Sequence, residues 1–441
     1  VFYVNANRVM SVRRINFSGN LKTDDSVLRR EMRQFEGAQA SAEKIDLSKV
    51  RLQRLGFFSD VKIDNARVPG TTDQVDLNVA VTEQPSGSIS ASLGYSQNAG
   101  LVFGANVSQS NFLGTGNRVS IGLNRSDVRD AYNVSFLNPY FTPEGISRGY
   151  NFYLRQTKLD DLNISNYSTD SMGANISFSY PIDETETISF SAGIDQTEIS
   201  LGVNPSEAVF NFTKDNGNSL MTYTTSAAWS RNTLNRGTFP TAGASQSVAL
   251  ELGLPGSDVS FYKLTYNAQR YFPVRHDWVG RGYARLGYGD ALSGDSLPFY
   301  RNFFGGGFGS VRGFRDNSMG PRSQRLSLSN PAVLLPESES IGGNVQVEGG
   351  VELIFPVPFI EDKSKIRTLA FFDVGNIFDT NSNSTSTTDF KPSISNLRYS
   401  VGVGLSWITP IGPLTFAVAK PLNTKEGDDT QAFQFSLGQG F

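Results

Sequence analysis

Three observations predict an all-β transmembrane barrel of sixteen antiparallel strands, preceded by a small α+β module. Across residues 87–441, runs of about ten residues alternate apolar with small or polar side chains, the period of a strand with two unlike faces. Connections between these runs differ by side: one set is tight and rich in aromatics, proline and glycine, the other longer and polar. The longest apolar stretches, such as 351–360, span about ten residues and contain proline, whereas a membrane helix needs roughly 20.

The N-terminal module reads in order as strand, helix, helix, strand, strand. Arg14-Ile15-Asn16-Phe17 signals the first strand, and Thr23 is the expected N-cap of a short helix carrying Val27, Leu28 and Met32. A second helix is expected from Ser41 to Gly56, a natural stop. Val61 to Ile63 and the alternation Val75, Leu77, Val79, Val81 give two further strands. The predicted division is 1–10 as the tail of a preceding unit, 11–84 as the module and 87–441 as the barrel.

After Pro85 no helical period is evident. The first strand sets Ile89, Ala91, Leu93 and Tyr95 against Ser88, Ser90, Ser92 and Gly94. Alternation alone equally describes a soluble β-sandwich. The turns favour the barrel. Tight connections fall at 111–116, 138–143, 180–183, 239–243, 271–274, 355–358 and 409–413, and longer polar ones at 160–168, 202–219, 290–343 and 379–396. Seven tight turns opposite eight loops make sixteen strands with both ends on the short-turn side, and closure leaves no unpaired edge in lipid. Tyrosines and tryptophans near strand ends would meet the two interfaces, leaving Phe, Val, Ile and Leu at strand centres.

Composition agrees. Glycine numbers 43 and aromatics are 12%, while charged residues, at 18%, fall below the roughly 25% of soluble domains. With 39 basic and 42 acidic residues the net charge is -3, so no nucleic-acid partner is expected. Cysteine is absent, excluding disulfides and thiolate metal sites. Val1 to Tyr3 begin inside an apolar stretch, read as the start of a mature fragment.

The loop at 290–343 is too long for an idle connection. Its core carries five glycines among Phe304, Phe308 and Phe314, which suits a segment that folds back into a barrel. The strand after it places Gln346, Glu348 and Glu352 inward. In the next, Ala370, Phe372 and Val374 share one face and Arg367, Asp373 and Asp379 the other, although Leu369 and Phe371 blur that division. Arg312 between Glu352 and Asp373 would use the planar fork of its guanidinium. Strand parity leaves open the alternative of a solvated loop charge.

Phe433, Phe435, Leu437 and Phe441 alternate outward on the final strand. Its seam with the first strand includes Ile89, Ser90, Ala91, Phe435, Gly438 and Gly440, where small side chains offer poor cross-strand packing. That makes the seam the expected place for the cylinder to part.

Val311-Arg312-Gly313-Phe314 resembles the loop signature of the BamA family of outer-membrane assembly factors. The resemblance extends over nearly the whole chain. Leu28-Arg29-Arg30-Glu31-Met32, Arg54-Leu55-Gly56-Phe57-Phe58 and Asp73-Gln74-Val75-Asp76 resemble the last of that family's periplasmic POTRA repeats. Asn111 to Gly116, Asn138-Pro139-Tyr140-Phe141, Phe372-Asp373-Val374-Gly375 and Gly412-Pro413-Leu414 resemble its barrel motifs. The resemblance implies insertion of β-barrel clients into the bacterial outer membrane, without ATP or cofactor, and no enzymatic chemistry. It also implies partners: unfolded outer-membrane clients, accessory lipoproteins and outer-membrane lipid, with the POTRA domain in the periplasm. Glu352 and Asp373 become the acids on which the loop arginine docks, 1–10 the tail of a preceding POTRA repeat, and Phe433, Phe435, Leu437 and Phe441 a C-terminal insertion signal.

Three alternatives remain. A passive porin accounts for the barrel but not for the module or the arginine loop. A two-partner secretion transporter shares both features. An outer-membrane hydrolase would have to use the sole histidine, His276, in a tight turn beside Arg275 and Asp277. No nucleophile and base pair, metal-ligand cluster or phosphate loop is evident.

Overall fold

The computed structural model describes residues 9–97, 99–158, 166–293, 296–327, 330–357, 365–381, 391–409, 412–425 and 427–438. Most of 1–10, the expected tail, lies outside them. Contacts divide the chain into two compact units: Val1–Ile89 with Asn106–Ile121 and Val134–Gly149, and Ser90–Ala105 with Gly122–Asn133 and Tyr150–Phe441.

The N-terminal module has the expected order: β1 (Ser11–Ser18), α1 (Asp25–Arg29), α2 (Ala42–Arg54), β2 (Phe58–Arg67) and β3 (Gln74–Glu83). β3 is central, parallel to β1 and antiparallel to β2. Alternation drives Leu77 and Val79 inward onto Val12, Leu28, Leu52 and Val61, all fully buried. Truncating any of these leucines to alanine would cost about 2–5 kcal/mol. Ser41 caps α2 by accepting from the Lys44 amide, and Gly56 follows the helix at φ +78°.

Thr23 does not cap α1; Asp24 takes that position. Thr23 is instead tied down by Glu83, which accepts from its amide at 2.7 Å and its hydroxyl at 2.6 Å. Its hydroxyl oxygen also accepts from Asn111 Nδ2 at 2.8 Å. Tyr140 joins the same unit, its hydroxyl accepting from Arg51 Nη2 at 2.9 Å while the Arg30 guanidinium lies 4.7 Å from its ring centre.

The barrel strands begin with β4 (Gly87–Ser96), β5 (Gly100–Phe112), β6 (Asn117–Arg125), β7 (Arg129–Asn138), β8 (Ser147–Lys158) and β9 (Tyr167–Pro181). There follow β10 (Glu186–Leu201), β11 (Ser219–Asn232), β12 (Gly243–Gly253), β13 (Ser260–Arg275) and β14 (Trp278–Ser293). β15 (Arg322–Ser327) and β16 (Asn330–Ser340) form a separate hairpin, so β14 pairs with β17 (Val345–Phe355). β18 (Ile366–Phe378), β19 (Arg398–Thr409), β20 (Gly412–Pro421) and β21 (Phe433–Leu437) complete the ring, and β21 meets β4. The sixteen-stranded closed antiparallel barrel is the predicted one.

Each strand turns one apolar row outward, as with Phe152 and Leu154 on β8 or Val401 and Val403 on β19, all exposed as a lipid-facing row must be. Trp278 and Trp407 lie at short-turn ends and Tyr223 and Tyr288 at long-loop ends, matching two interfacial belts.

Three further expectations need correction. Residues 202–219 contain a helix, α3 (Glu207–Asn216), although no helical period was evident there. Val209 and Phe212 pack it onto Leu220, Val259 and Phe299, so tertiary burial rather than a long amphipathic repeat supports this short helix. The turn expected at 271–274 falls at 276–277, because β13 runs on to Arg275. The connection begun at 355–358 extends to residue 365, part of it outside the described residues.

Candidate functional site

Parity and register together bring three strands to one place on the inner wall. β14 points Arg281, Tyr283 and Arg285 inward, β17 points Glu348 and Glu352, and β18 points Leu369, Phe371 and Asp373. Leu369 and Phe371, which blurred the sequence reading, are inward-facing and buried.

The long loop between β14 and β17 delivers Arg312 to this wall. Its Nε donates to Asp373 Oδ2 and its Nη2 to Asp373 Oδ1, both at 2.7 Å, and its backbone amide reaches Oδ2 at 3.2 Å. Nη2 also lies 2.9 Å from Glu352 Oε1. The guanidinium carbon sits 3.6 Å from the ring centre of Phe371, a cation–π contact. Arg312 is thus buried and not a solvated loop charge.

Burial opposes the charge on Arg312, but the hydrogen bonds and charge of Asp373, then Glu352, outweigh it and hold the guanidinium above its ordinary pKa. Glu352 is shared, its Oε2 lying 3.0 Å from Arg281 Nη1. Tyr283 donates to Asp373 Oδ1 at 2.9 Å. Every charge is therefore met on more than one side, the condition for keeping an ion cluster buried.

Val311, Phe314 and Met319 form a small core of their own. Ser310 donates to Glu348, and Arg285 donates to the Gly309 carbonyl. Beyond Arg312 the loop pairs like a strand with the connection leading into β21. Gln431 N donates to Gly313 O at 2.8 Å and Arg315 N to Asp429 O at 2.9 Å, while Phe314 bridges Thr430. Arg398 and Asp428, whose side chains are shielded from solvent, fix that connection with two bonds of 2.9 Å.

At the seam the described pairs are Ser436 with Ser96 and Leu437 with Tyr95. Phe435 stacks on Tyr95 with ring centres 5.6 Å apart. Gln97 Oε1 accepts from Phe435 N at 3.1 Å and from Gln431 Nε2 at 3.0 Å. Gly438, at φ +77°, lies against Gly94: a Cβ there would meet Gly94 Cα at 2.8 Å and Leu93 O at 2.7 Å. The expected seam residues Ile89, Ser90 and Ala91 lie nearer the start of β4 and have no partner on β21 among the described residues. Gly440 and Phe441 lie outside the described residues. Phe433 is exposed, and Phe435 and Leu437 share its side of the strand, while Gln434 and Ser436 are buried.

Sequence reasoning missed Arg281, Tyr283, Phe371, Arg398 and Gln434. The i, i+2, i+4 spacing of Arg281, Tyr283 and Arg285 was a readable signal, as was Gln434 flanked by two outward phenylalanines. Arg398 had none, because its partner lies across a loop. His276 occupies the turn between β13 and β14 at φ +41°. No group of three or more potential metal ligands occurs among the described residues.

A family model described as "Omp85 superfamily domain" matches residues 111–441, and a POTRA model, "Surface antigen variable number repeat", matches residues 10–84. The "Outer membrane protein assembly factor BamA" of Neisseria meningitidis serogroup B is 34% identical over 471 residues, covering 100% of this chain and 58% of that protein. Its namesake from Nitratidesulfovibrio vulgaris is 28% identical, covering 98% and 51%. The chain thus spans a little over half the length of these relatives. The crystal structure of BamA from Haemophilus ducreyi lacking POTRA domains 1–3 superposes with a TM-score of 0.86 at 34% identity, over 98% of this chain and 85% of that one. CdiB from Escherichia coli gives a TM-score of 0.63 at 15% identity, over 97% and 76%, a likeness of fold alone.

Proposed function

This chain belongs to the Omp85 superfamily, as an outer-membrane barrel protein with an N-terminal POTRA domain, and from that premise we propose that it catalyses the folding and insertion of β-barrel proteins into the bacterial outer membrane. It does so as the core of an assembly machine, by parting the seam between β4 and β21. A strand entering lipid must keep its backbone groups paired, and a freed barrel edge offers partners for an incoming strand. The partners are unfolded outer-membrane clients, accessory lipoproteins and the surrounding lipid, and the POTRA domain works in the periplasm. No bond-making chemistry, nucleotide or cofactor is part of the proposal.

The observation that carries the seam reading is a pair of facing glycines: Gly438, at φ +77°, lies against Gly94, and neither has a side chain to pack across the seam. Good cross-strand pairs contribute about 0.2–1 kcal/mol each, a contribution this glycine pair forgoes. The chain has no cysteine, which makes the test clean. Ser96→Cys with Ser436→Cys locks the seam on oxidation, and Ser191→Cys with Ser226→Cys, a facing pair on β10 and β11, serves as control. The seam bridge should stop client insertion until reductant is added, and the control bridge should be tolerated. Full client assembly through a covalently closed seam would sink lateral opening and favour the polypeptide-exporter alternative.

A further inference from the structure

The long loop meets the barrel wall at a second point, on strands that take no part in the Arg312 dock. Arg301 ends a single 3₁₀ turn, Phe299–Arg301, and its guanidinium splits between two acids. Nη2 lies 3.1 Å from Asp195 Oδ1 on β10 and Nη1 lies 3.4 Å from Glu251 Oε1 on β12. Its backbone carbonyl accepts from Lys263 Nζ on β13 at 2.7 Å, and that ammonium sits 4.1 Å from the Phe303 ring centre. Asp195 is buried and also accepts from the hydroxyls of Tyr153 and Thr197. Phe299 adds apolar hold, edge-on to Tyr167 at 4.8 Å and to Phe212 at 5.3 Å.

We propose that Arg301 is a positioning residue that anchors the near arm of the loop, 299–303, independently of Arg312. Releasing the Arg312 fork then frees 304–319 while the near arm stays on β10, β12 and β13. The two forks share no acid: Asp195 and Glu251 serve one, Glu352 and Asp373 the other. Between them lie Gly306 and Gly307 at φ +94° and +97°, backbone that rotates without resistance from a Cβ. Two rigid anchors joined by such a segment behave as separate units of local opening. The loop is a strap that pivots at its glycines. The anchoring itself needs no assumption about clients; its value to assembly rests on the function proposed above.

Amide hydrogen exchange on the full-length, lipid-embedded protein tests this. The amides of Arg301, Asn302 and Phe303 donate to Pro298 O, Phe299 O and Gly343 O, and those of Arg312 and Arg315 to Asp373 and Asp429. Arg301→Gln should lower protection across 299–303 by about tenfold or more, the scale of a lost charge-assisted hydrogen bond, and spare 312–315. Arg312→Ala should do the reverse. Asp195→Asn combined with Glu251→Gln should reproduce Arg301→Gln and keeps the test open if that variant fails to fold. Arg301→Lys, which keeps the charge but not the fork, should restore part of the protection. Loss of protection in both segments together, or an unchanged near arm in both anchor variants, overturns the proposal whatever the client assay shows. A clean split in a parent protein that inserts no client would instead sink the assembly reading and leave the anchor standing.

Discussion

Gln434 and Gly313 are joined across the barrel interior. The Gly313 amide donates to Gln434 Oε1 at 3.3 Å, and Gln434 Nε2 returns a bond of 2.8 Å to the carbonyl of Phe314. One buried side chain of β21 therefore satisfies both a donor and an acceptor of the loop motif. The side-chain amide of Gln434 thus ties the strand that closes the seam to the loop docked by Arg312, beside the backbone bonds of Gly313 and Arg315 to the connection before it.

Replacing Gln434 with leucine should loosen both at once. It leaves a buried N–H and a buried C=O without partners, at about 1–3 kcal/mol for each group. The expected outcome is faster labelling of a cysteine introduced into the loop by external reagents, together with weaker seam closure in heat-modifiability gels. A change in only one readout would show that the amide does not link them.

Within the ion cluster the acids should rank. Asp373 takes three bonds from Arg312 and Glu352 one, with Arg281 sharing Glu352. Arg312→Ala and Asp373→Asn should each cost on the order of 3–5 kcal/mol, because they leave buried charge unmatched, and Glu352→Gln less. Heat-modifiable mobility and client levels should fall in that order; equal behaviour of all three and the parent would count against the docked loop as a working part.

The final strand should govern the protein's own insertion. Phe435 stacks on Tyr95, Phe416 and Phe433, so Phe435→Ala removes three ring contacts, each worth about 0.5–1.5 kcal/mol beyond burial. Insertion into liposomes should slow for Phe435→Ala and for deletion of Phe441. Unchanged rates for both would remove the C-terminal signal reading.

Glu83 in the POTRA domain should titrate below the usual glutamate range. Partial burial raises its pKa, but the hydroxyl and amide of Thr23 and the amide of Lys22 outweigh it and lower the value. A depressed folded-state pKa contributes stability above the unfolded value that is lost as pH falls through the folded one. Acidification should therefore release the Thr23 segment, seen as loss of amide protection at Lys22 and Thr23. In Thr23→Val the Glu83 carbon resonance should titrate closer to the ordinary value, and an unshifted midpoint would contradict the assignment.

The sequence by itself determined the barrel, its strand number, the order of the N-terminal module and the faces of its strands, because each depends on local period and turn chemistry. Val75 to Val81 and Phe433 to Leu437 show their faces in any register. It also singled out Arg312, Glu352 and Asp373, through resemblance and parity. Only the tertiary structure decided which groups meet. Parity fixes a side chain's face but not its height on the wall, so the sharing of Glu352 by Arg281, the Phe371 ring beneath Arg312 and the Ser96–Ser436 register at the seam came from ladder pairing. The Gln434 and Gly313 contact joins residues 121 positions apart. The path of a loop closes such a contact, and no local pattern encodes that path.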